Sequence, residues 1–293
     1  MSYVFRQHRL AALLLLMPAL LFAAAFLVYP LGNGLWLSLT NASALRPKAK
    51  FVGLANYTYL LSTSEFWTVI FNTIVIVGGA IALSTAVGLA LALLVNRKLP
   101  GVALFRAGIF QIWIVPWISV AILWGWIFNA DYGVVNYLLM DVGLIRAPVN
   151  WFADTTTARV VIILGFAWRM IPFMMVVSLA ALQTIPAEIL EAAAVDGAAP
   201  MQRFLRITLP ILRPMLVTLA LLQLVKLFQE ITLPWILTQG GPVNATTTLS
   251  LYTYKLAFQQ WDYGLAASAG TLWLILLSLI ALVAVRLTRR RYQ

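Results

Sequence analysis

Residues 159–182 read RVVIILGFAWRMIPFMMVVSLAAL, and Arg169 is the only charged side chain after the opening arginine. A helix crosses the ~30 Å hydrocarbon core of a bilayer with about 20 apolar residues. The stretch therefore predicts a transmembrane helix. Arg169 and Pro172 are unusual residues within such a helix and mark it for closer attention.

Comparable apolar runs occur along the rest of the chain, which has 293 residues, 62% of them hydrophobic and 10% charged. A soluble globular domain carries about 25% charged residues, and the mean hydropathy here is +0.93. No linker or charge block divides the sequence. We therefore predict an all-α membrane protein with about six transmembrane helices in a single domain, 1–293. The other five runs lie near 10–29, 67–95, 107–128, 214–237 and 266–286.

Composition also limits the chemistry of the chain. The net charge of +11 is spread between apolar runs, which argues against nucleic-acid binding. Cysteine is absent and the one histidine, His8, lies in a polar N-terminal tail, so no metal site is predicted. The sequence contains no GxxxxGK[ST] motif for ATP phosphates. We expect no cofactor on this chain and no catalytic site of its own.

Lysine and arginine in the connecting segments predict how the helices are oriented, because cytoplasmic loops carry an excess of these residues. Twelve lie in segments on one side of the membrane and five on the other. Both termini and the 183–214 segment are therefore predicted to be cytoplasmic. The twelve are Arg6, Arg9, Arg97, Lys98, Arg106, Arg203, Arg206, Arg213, Arg286, Arg289, Arg290 and Arg291.

The 183–214 segment, QTIPAEILEAAAVDGAAPMQRFLRITLPILRP, is the only cytoplasmic connection long enough for structure of its own. The run at 189–195 favours helix, and Gly197 suits either a left-handed stop or a close approach of another backbone. A second amphipathic helix is predicted over 201–209, ending at Pro210. Two short helices joined at a glycine predict a compact docking element. The alternative is an interfacial helix pair that only connects two spans.

The same segment resembles the cytoplasmic EAA loop of the permease subunits of ABC importers. Other stretches resemble the maltose-type carbohydrate uptake permeases: FVGLANY at 51–57, the Asn72 and Thr73 pair, and TQGGP at 238–242, with YTYKLAFQQWDYGLAASAG further on. The similarity covers nearly the whole chain. The EAA positions, at the family's spacing, are Glu191, Ala192, Ala193, Gly197, Ile207, Leu209 and Pro210.

This resemblance implies a type I ABC importer transmembrane domain in the bacterial cytoplasmic membrane. The partners it implies are a second homologous permease, two ATPase subunits that carry ATP and Mg, an extracytoplasmic solute-binding protein, and membrane lipid. The transported solute would be a sugar or a sugar-like molecule, moved by alternating access. In this family the EAA loop is a coupling helix that sits in a cleft of the ATPase. The contacts would be Glu191, Ala192, Ala193, Asp196 and Gly197.

Ionisable groups within spans are candidates for the transport path. Lys226 and Glu230 are four residues apart and would share one helical face, which Gln223 and Leu227 extend. A Lys–Glu pair that only holds helices together is the alternative.

In the span at 159–182, Trp168, Arg169 and Phe173 surround Pro172, which can break a helix locally. An arginine beside a broken helix suits a solute with hydroxyl or anionic groups. An arginine that extends toward the membrane interface would look the same in the sequence.

Trp113 and Trp117 are predicted one helical turn apart around Pro116, where aromatic rings can pack on sugar C–H faces. A pair that faces lipid or the protein core is the alternative. The resemblance places a set of residues from three spans along the transport path. They are Trp113, Trp117, Arg169, Phe173, Gln223, Leu227 and Glu230.

The same residues allow two different predictions of the charge of the solute. Arg169 and Lys226 outnumber Glu230, which favours a sugar bearing phosphate, sulfonate or carboxylate. Pairing of Arg169 with Glu230 would instead leave a neutral cavity.

Two functions from other classes compete with the ABC importer. A secondary sugar transporter could use Lys226 and Glu230 for ion coupling, and a scaffold subunit would form no site. Inverted internal repeats would favour the secondary transporter, and the sequence shows none. The EAA spacing favours the ABC permease.

Overall fold

A computed structural model describes residues 15–46, 48–97 and 100–289, and within them the chain is helical. No strand forms in these ranges, where only isolated β-bridges occur, at Thr40–Phe51 and Ser43–Asp262. His8, the start of the first predicted span and the terminal arginines before Leu15 and after Arg289 lie outside the described residues.

The helices are α1 Leu15–Ser38, α2 Ala55–Ser62, α3 Ser64–Val95, α4 Val102–Ile114, α5 Trp117–Ile127, α6 Val134–Asp141, α7 Thr155–Leu182, α8 Ala187–Val195, α9 Pro200–Gln229, α10 Thr232–Thr238, α11 Leu249–Phe258 and α12 Tyr263–Arg289.

The prediction of about six spans is confirmed. Five described helices are long and apolar enough to cross a membrane, and α4 with α5 forms a sixth, bent candidate. The five are α1, α3, α7, α9 and α12.

The chain forms two compact units. The first contains the described residues up to Thr63 together with Thr253–Ile275. Here Asn56, from the FVGLANY stretch, donates from Nδ2 to the carbonyls of Ser38 and Thr40, at 2.9 and 2.8 Å. These bonds satisfy backbone acceptors at the end of α1 that have no partner within the helix. The polar residues of this stretch therefore have a local structural role.

The second unit contains Ser64–Tyr252 and the residues from Leu276 onward. Its most extensive described helix contact joins α3 to α7. Gly88 allows this close packing, because a Cβ built there would lie 2.5 Å from the Cβ of Met174 and 3.1 Å from the carbonyl oxygen of Ile171. Small residues bring helices together in the same way in membrane proteins generally.

Polar contacts fix the N-terminal ends of α3 and α7 to the segment 244–249. Asn72 donates to the carbonyl of Asn244 at 2.7 Å, and Thr73 Oγ1 accepts the backbone N–H of Leu249 at 2.8 Å. Arg159 Nε donates to Asn72 Oδ1 and to the carbonyl of Ala245, at 3.2 and 2.9 Å. The Asn72 and Thr73 pair therefore anchors a loop.

Aliphatic contacts dominate the C-terminal ends of the same two helices. The buried cluster there, called the aliphatic cluster below, contains Leu89, Ala92, Val95, Met175, Leu179, Ala181, Leu182, Ile185 and Leu212.

Prolines in α1 and α9 do not end these helices, contrary to the helix end predicted at Pro210. α1 continues through Pro30 to Ser38, beyond the predicted end at residue 29, and α9 continues through Pro210 to Gln229. A π-helical turn precedes each proline, at Ala24–Val28 and Phe204–Thr208. A proline ring collides with the carbonyl one turn earlier in an α-helix, and the wider π turn relieves that contact. The predicted helix over 201–209 is therefore the first part of a membrane span.

Pro172 also leaves its helix unbroken, so the predicted local break in this span is wrong. α7 runs without interruption from Thr155 to Leu182. Met170, Met174 and Met175 are buried around the proline. This packing compensates for the hydrogen bond that Pro172 cannot make, since tertiary contacts supply most helical stability in proteins.

Candidate functional site

The third span is broken at Val115 and Pro116, where α4 and α5 meet at a bend of 98°. Both residues adopt extended ψ angles, 127° and 144°, as the residue before a proline commonly does. Trp113 and Trp117 therefore flank a bend instead of sharing one helical face, which corrects the prediction.

Arg169 of α7 stabilises this break. Its Nε donates to the carbonyl of Val115 at 2.8 Å, and its guanidinium carbon lies 4.1 Å from the centre of the Trp117 ring. Backbone groups freed at membrane depth need a partner from within the protein. The arginine supplies that partner and has a cation–π contact as well.

A second break follows α9 at Glu230, whose backbone is extended at φ −85° and ψ 120°. Pro234 explains its position, because in a continuous helix its ring would collide with the carbonyl of Glu230. The carboxylate of Glu230 accepts the backbone N–H of Thr232 at 2.8 Å, at the start of α10. Glu230 therefore leaves the helical face of Lys226, and the prediction of a shared face is wrong.

The two breaks meet at one cavity of about 430 Å³. Five of the predicted pathway residues line it, from three different spans. Sequence reasoning did not select two other lining residues, Met170 and Gln229. Gln229 had a usable signal, since it is a polar residue within an apolar span. The lining residues are Trp113, Trp117, Arg169, Met170, Lys226, Gln229 and Glu230.

Lys226 lies against an aromatic pair at the edge of this cavity. Trp113 and Phe173 stack with ring centres 5.7 Å apart and an interplanar angle of 17°. The Lys226 ammonium lies 5.4 Å from the Trp113 centre and 5.3 Å from the Phe173 centre. Phe173 itself lines a neighbouring apolar groove of about 830 Å³ between α7 and α9. The pair therefore separates the polar cavity from the groove.

Gln223 and Leu227 lie away from the cavity. Both side chains are 1% exposed. Gln223 Oε1 accepts a hydrogen bond from Ser84 of α3 at 2.9 Å. These residues pack within the helix bundle, and a role along the transport path stays a prediction.

The first helix of the predicted docking element is present as α8, and a turn follows it; its docking role stays a prediction. Gly197 adopts a left-handed φ of +78°. Its N–H donates to the carbonyl of Ala194, and the N–H of Ala198 donates to the carbonyl of Ala193. This pair of bonds is the Schellman motif, which glycine favours at the end of a helix. The left-handed alternative predicted for Gly197 is therefore confirmed.

The surface of α8 is largely open. Glu191, Ala192 and Asp196 are exposed and Ala193 is half-buried. Val195 is 88% exposed, although it is apolar. Leu190 and Phe204 pack on the aliphatic cluster and connect this region to α3 and α7. An exposed helix on a packed base has the form of a docking surface.

Comparisons with known proteins identify the family of the chain. The family described as "Binding-protein-dependent transport system inner membrane component" matches residues 84–293. The trehalose/maltose transport system permease protein MalF of Thermococcus litoralis is 34% identical over 98% of this chain and 96% of its own length. The sulfoquinovosyl glycerol transport system permease protein SmoG of Agrobacterium fabrum is 32% identical over 97% of this chain and 92% of its own.

Solved structures share the fold. A bacterial ABC transporter involved in the import of the acidic polysaccharide alginate gives a TM-score of 0.78 at 25% identity, covering 99% of this chain and 98% of the matched chain. The MetNI methionine ABC transporter, in an inward-facing conformation, gives a TM-score of 0.54 over 78% of this chain and 98% of its own. The chain therefore belongs to the family of binding-protein-dependent transport system inner membrane components, as an ABC importer permease with the type I transmembrane fold.

Proposed function

We propose that this permease imports a sugar or a sugar derivative by alternating access. The observation that carries the proposal is the convergence of two tryptophans, three charged groups and an amide on one cavity at two helix breaks. Aromatic faces and a few placed polar groups suit a sugar. The names of the relatives support this class, since they include trehalose/maltose and sulfoquinovosyl glycerol permeases.

The complex that we propose has five parts besides this chain and the lipid around it: a second permease, two ATPase subunits with bound ATP and Mg, a solute-binding protein and the solute. An alginate transporter has been solved in complex with its sugar-bound periplasmic protein. ATP closes the ATPase pair, and α8 transmits that motion through the aliphatic cluster to the spans around the cavity.

Reconstitution tests this function against the ion-coupled alternative, which the relatives do not support. Vesicles containing the full complex and its binding protein should take up labelled sugar only with internal ATP. Collapse of proton and sodium gradients should leave uptake unchanged. Uptake that follows a gradient and ignores ATP would contradict the proposal.

Charge reversal on α8 tests the docking of the ATPase. We expect Glu191→Lys to lower the amount of ATPase that co-purifies with the permease, because the exposed carboxylate at the proposed contact is replaced by a cation. Asp141→Lys is the matched control, since it makes the same change at an exposed position at the end of α6. Equal recovery of ATPase with both variants would remove Glu191 from the contact.

Topology is tested with reporter fusions. The excess of lysine and arginine predicts that both termini and α8 are cytoplasmic. A reporter after Gln293 should therefore be active on the cytoplasmic side, and one within the 238–265 loop on the opposite side. The same readout from both fusions would contradict a six-span orientation.

A further inference from the structure

The charges on the cavity wall do not balance. Two cations, Arg169 and Lys226, line the cavity together with one carboxylate, Glu230. One positive charge is left without a counter-charge on this wall, and a cleft of net positive charge attracts anionic ligands.

Arg169 and Glu230 each use one hydrogen-bonding position within the chain. Glu230 already accepts the N–H of Thr232 through Oε1. Arg169 uses Nε for the carbonyl of Val115, which leaves its two terminal amino groups for another acceptor. The guanidinium is held in place by the same bond and by the Trp117 ring.

Lys226 is the more available of the two cations. Its side chain is exposed in the cavity, and its described neighbours are the faces of Trp113 and Phe173. Those rings position the ammonium but accept none of its three N–H groups in an ordinary hydrogen bond. Lys226 also lies in the last turn of α9, where a cation is favoured by the helix dipole.

We propose that the cavity binds a sugar derivative that carries an oxyanion, a carboxylate, sulfonate or phosphate, with Lys226 as the residue that determines this specificity. The free edge of Arg169 provides a second contact to the same oxyanion. The sugar ring packs on the tryptophans, and Gln229 supplies a neutral polar group for a hydroxyl. This inference rests on the proposed function, and it names the charge class of the solute.

The first experiment compares neutral and anionic forms of the same sugars. The probes are disaccharides, their C6-oxidised uronates and their C6-sulfonates, offered to the reconstituted complex with its own binding protein. We expect ATP-dependent uptake of an anionic member, with the neutral parent at least about tenfold slower. ATP-dependent uptake of neutral members alone would overturn the inference while leaving the proposed function in place. Uptake of no sugar of either kind would overturn both.

The second experiment assigns the preference to Lys226. We expect Lys226→Gln to reduce uptake of the anionic probe by roughly 10- to 100-fold, which is the range for losing a hydrogen bond to a charged group. Lys226→Arg should keep most of the uptake because it keeps the charge. Arg146→Gln removes the same charge from an exposed loop residue and should change nothing.

A purely structural role for Lys226 makes a different prediction. In that case Lys226→Gln would lower uptake of anionic and neutral probes equally, or lower the amount of assembled complex, and the inference would be wrong. A rise in the half-saturating concentration that is confined to the anionic probe would support direct recognition.

Discussion

Replacing Gly197 by leucine is expected to uncouple ATP hydrolysis from uptake while the membrane domain stays folded. The φ of +78° is left-handed, and an L-residue with a side chain loses about 1–2 kcal/mol there. That free energy changes the population of the turn roughly 5- to 30-fold. A Cβ at this position meets nothing within 4 Å in the chain, so the strain is confined to the turn after α8. Uptake and ATPase activity are measured in the same vesicles.

Asparagine provides the control at this position. It is close to leucine in size, but it adopts the left-handed conformation far more readily. We therefore expect Gly197→Asn to keep most of the uptake. Loss with both residues would mean that the ATPase backbone comes too close for any side chain. Full uptake with both would show that this turn does not couple the subunits.

Replacing Gly88 by alanine is expected to destabilise the helix bundle and reduce uptake together. The new Cβ would lie 2.5 Å from the Cβ of Met174 and 3.1 Å from the N atom of Met175, and both belong to a neighbouring helix that must move. Overpacking of this kind costs about 1–3 kcal/mol. The helix that moves, α7, carries Arg169 and Phe173, so the cavity is displaced as well. Thermal unfolding of the purified complex and sugar uptake are the measurements.

Gly78 is a matched control on the same helix. A Cβ there meets nothing within 4 Å, so Gly78→Ala should keep the stability and uptake of the wild type. An unfolding temperature for Gly88→Ala equal to that of Gly78→Ala would show that α3 and α7 do not need the close contact.

The spans and the short helix α8 could be predicted from the sequence because they depend on local properties. An apolar run of sufficient length has few alternatives to a membrane helix. Gly197 after a run of good helix formers likewise has a local meaning, and the structure has the expected left-handed turn. The approximate number of spans and the position of α8 were therefore predictable from neighbouring residues alone.

The outcome at each proline could not be predicted in this way. Pro116 lies at a break, Pro172 lies within an intact helix, and Pro210 follows a π turn. The difference depends on distant partners. Arg169 satisfies the carbonyl of Val115 from 54 positions away along the chain. Buried methionines hold the helix around Pro172.

The position of Glu230 was missed for a related reason. A spacing of four residues from Lys226 implies a shared face only if the helix continues, and Pro234 ends it first. Both residues nevertheless line the same cavity, although they do not share a helical face.

The two ends of α3 and α7 are held by different kinds of contact. Hydrogen bonds from Asn72, Thr73 and Arg159 hold the N-terminal ends, and such bonds weaken steeply when their geometry changes. The aliphatic cluster at the other end packs through apolar side-chain contacts, and packed helices of this kind slide by small amounts. In the proposed coupling, motion of α8 would therefore act on the ends of α3 and α7 that the aliphatic cluster holds, away from the hydrogen-bonded ends. The helices are then expected to tilt about their hydrogen-bonded N-terminal ends, so that the cavity between the two ends changes shape without loss of the fold.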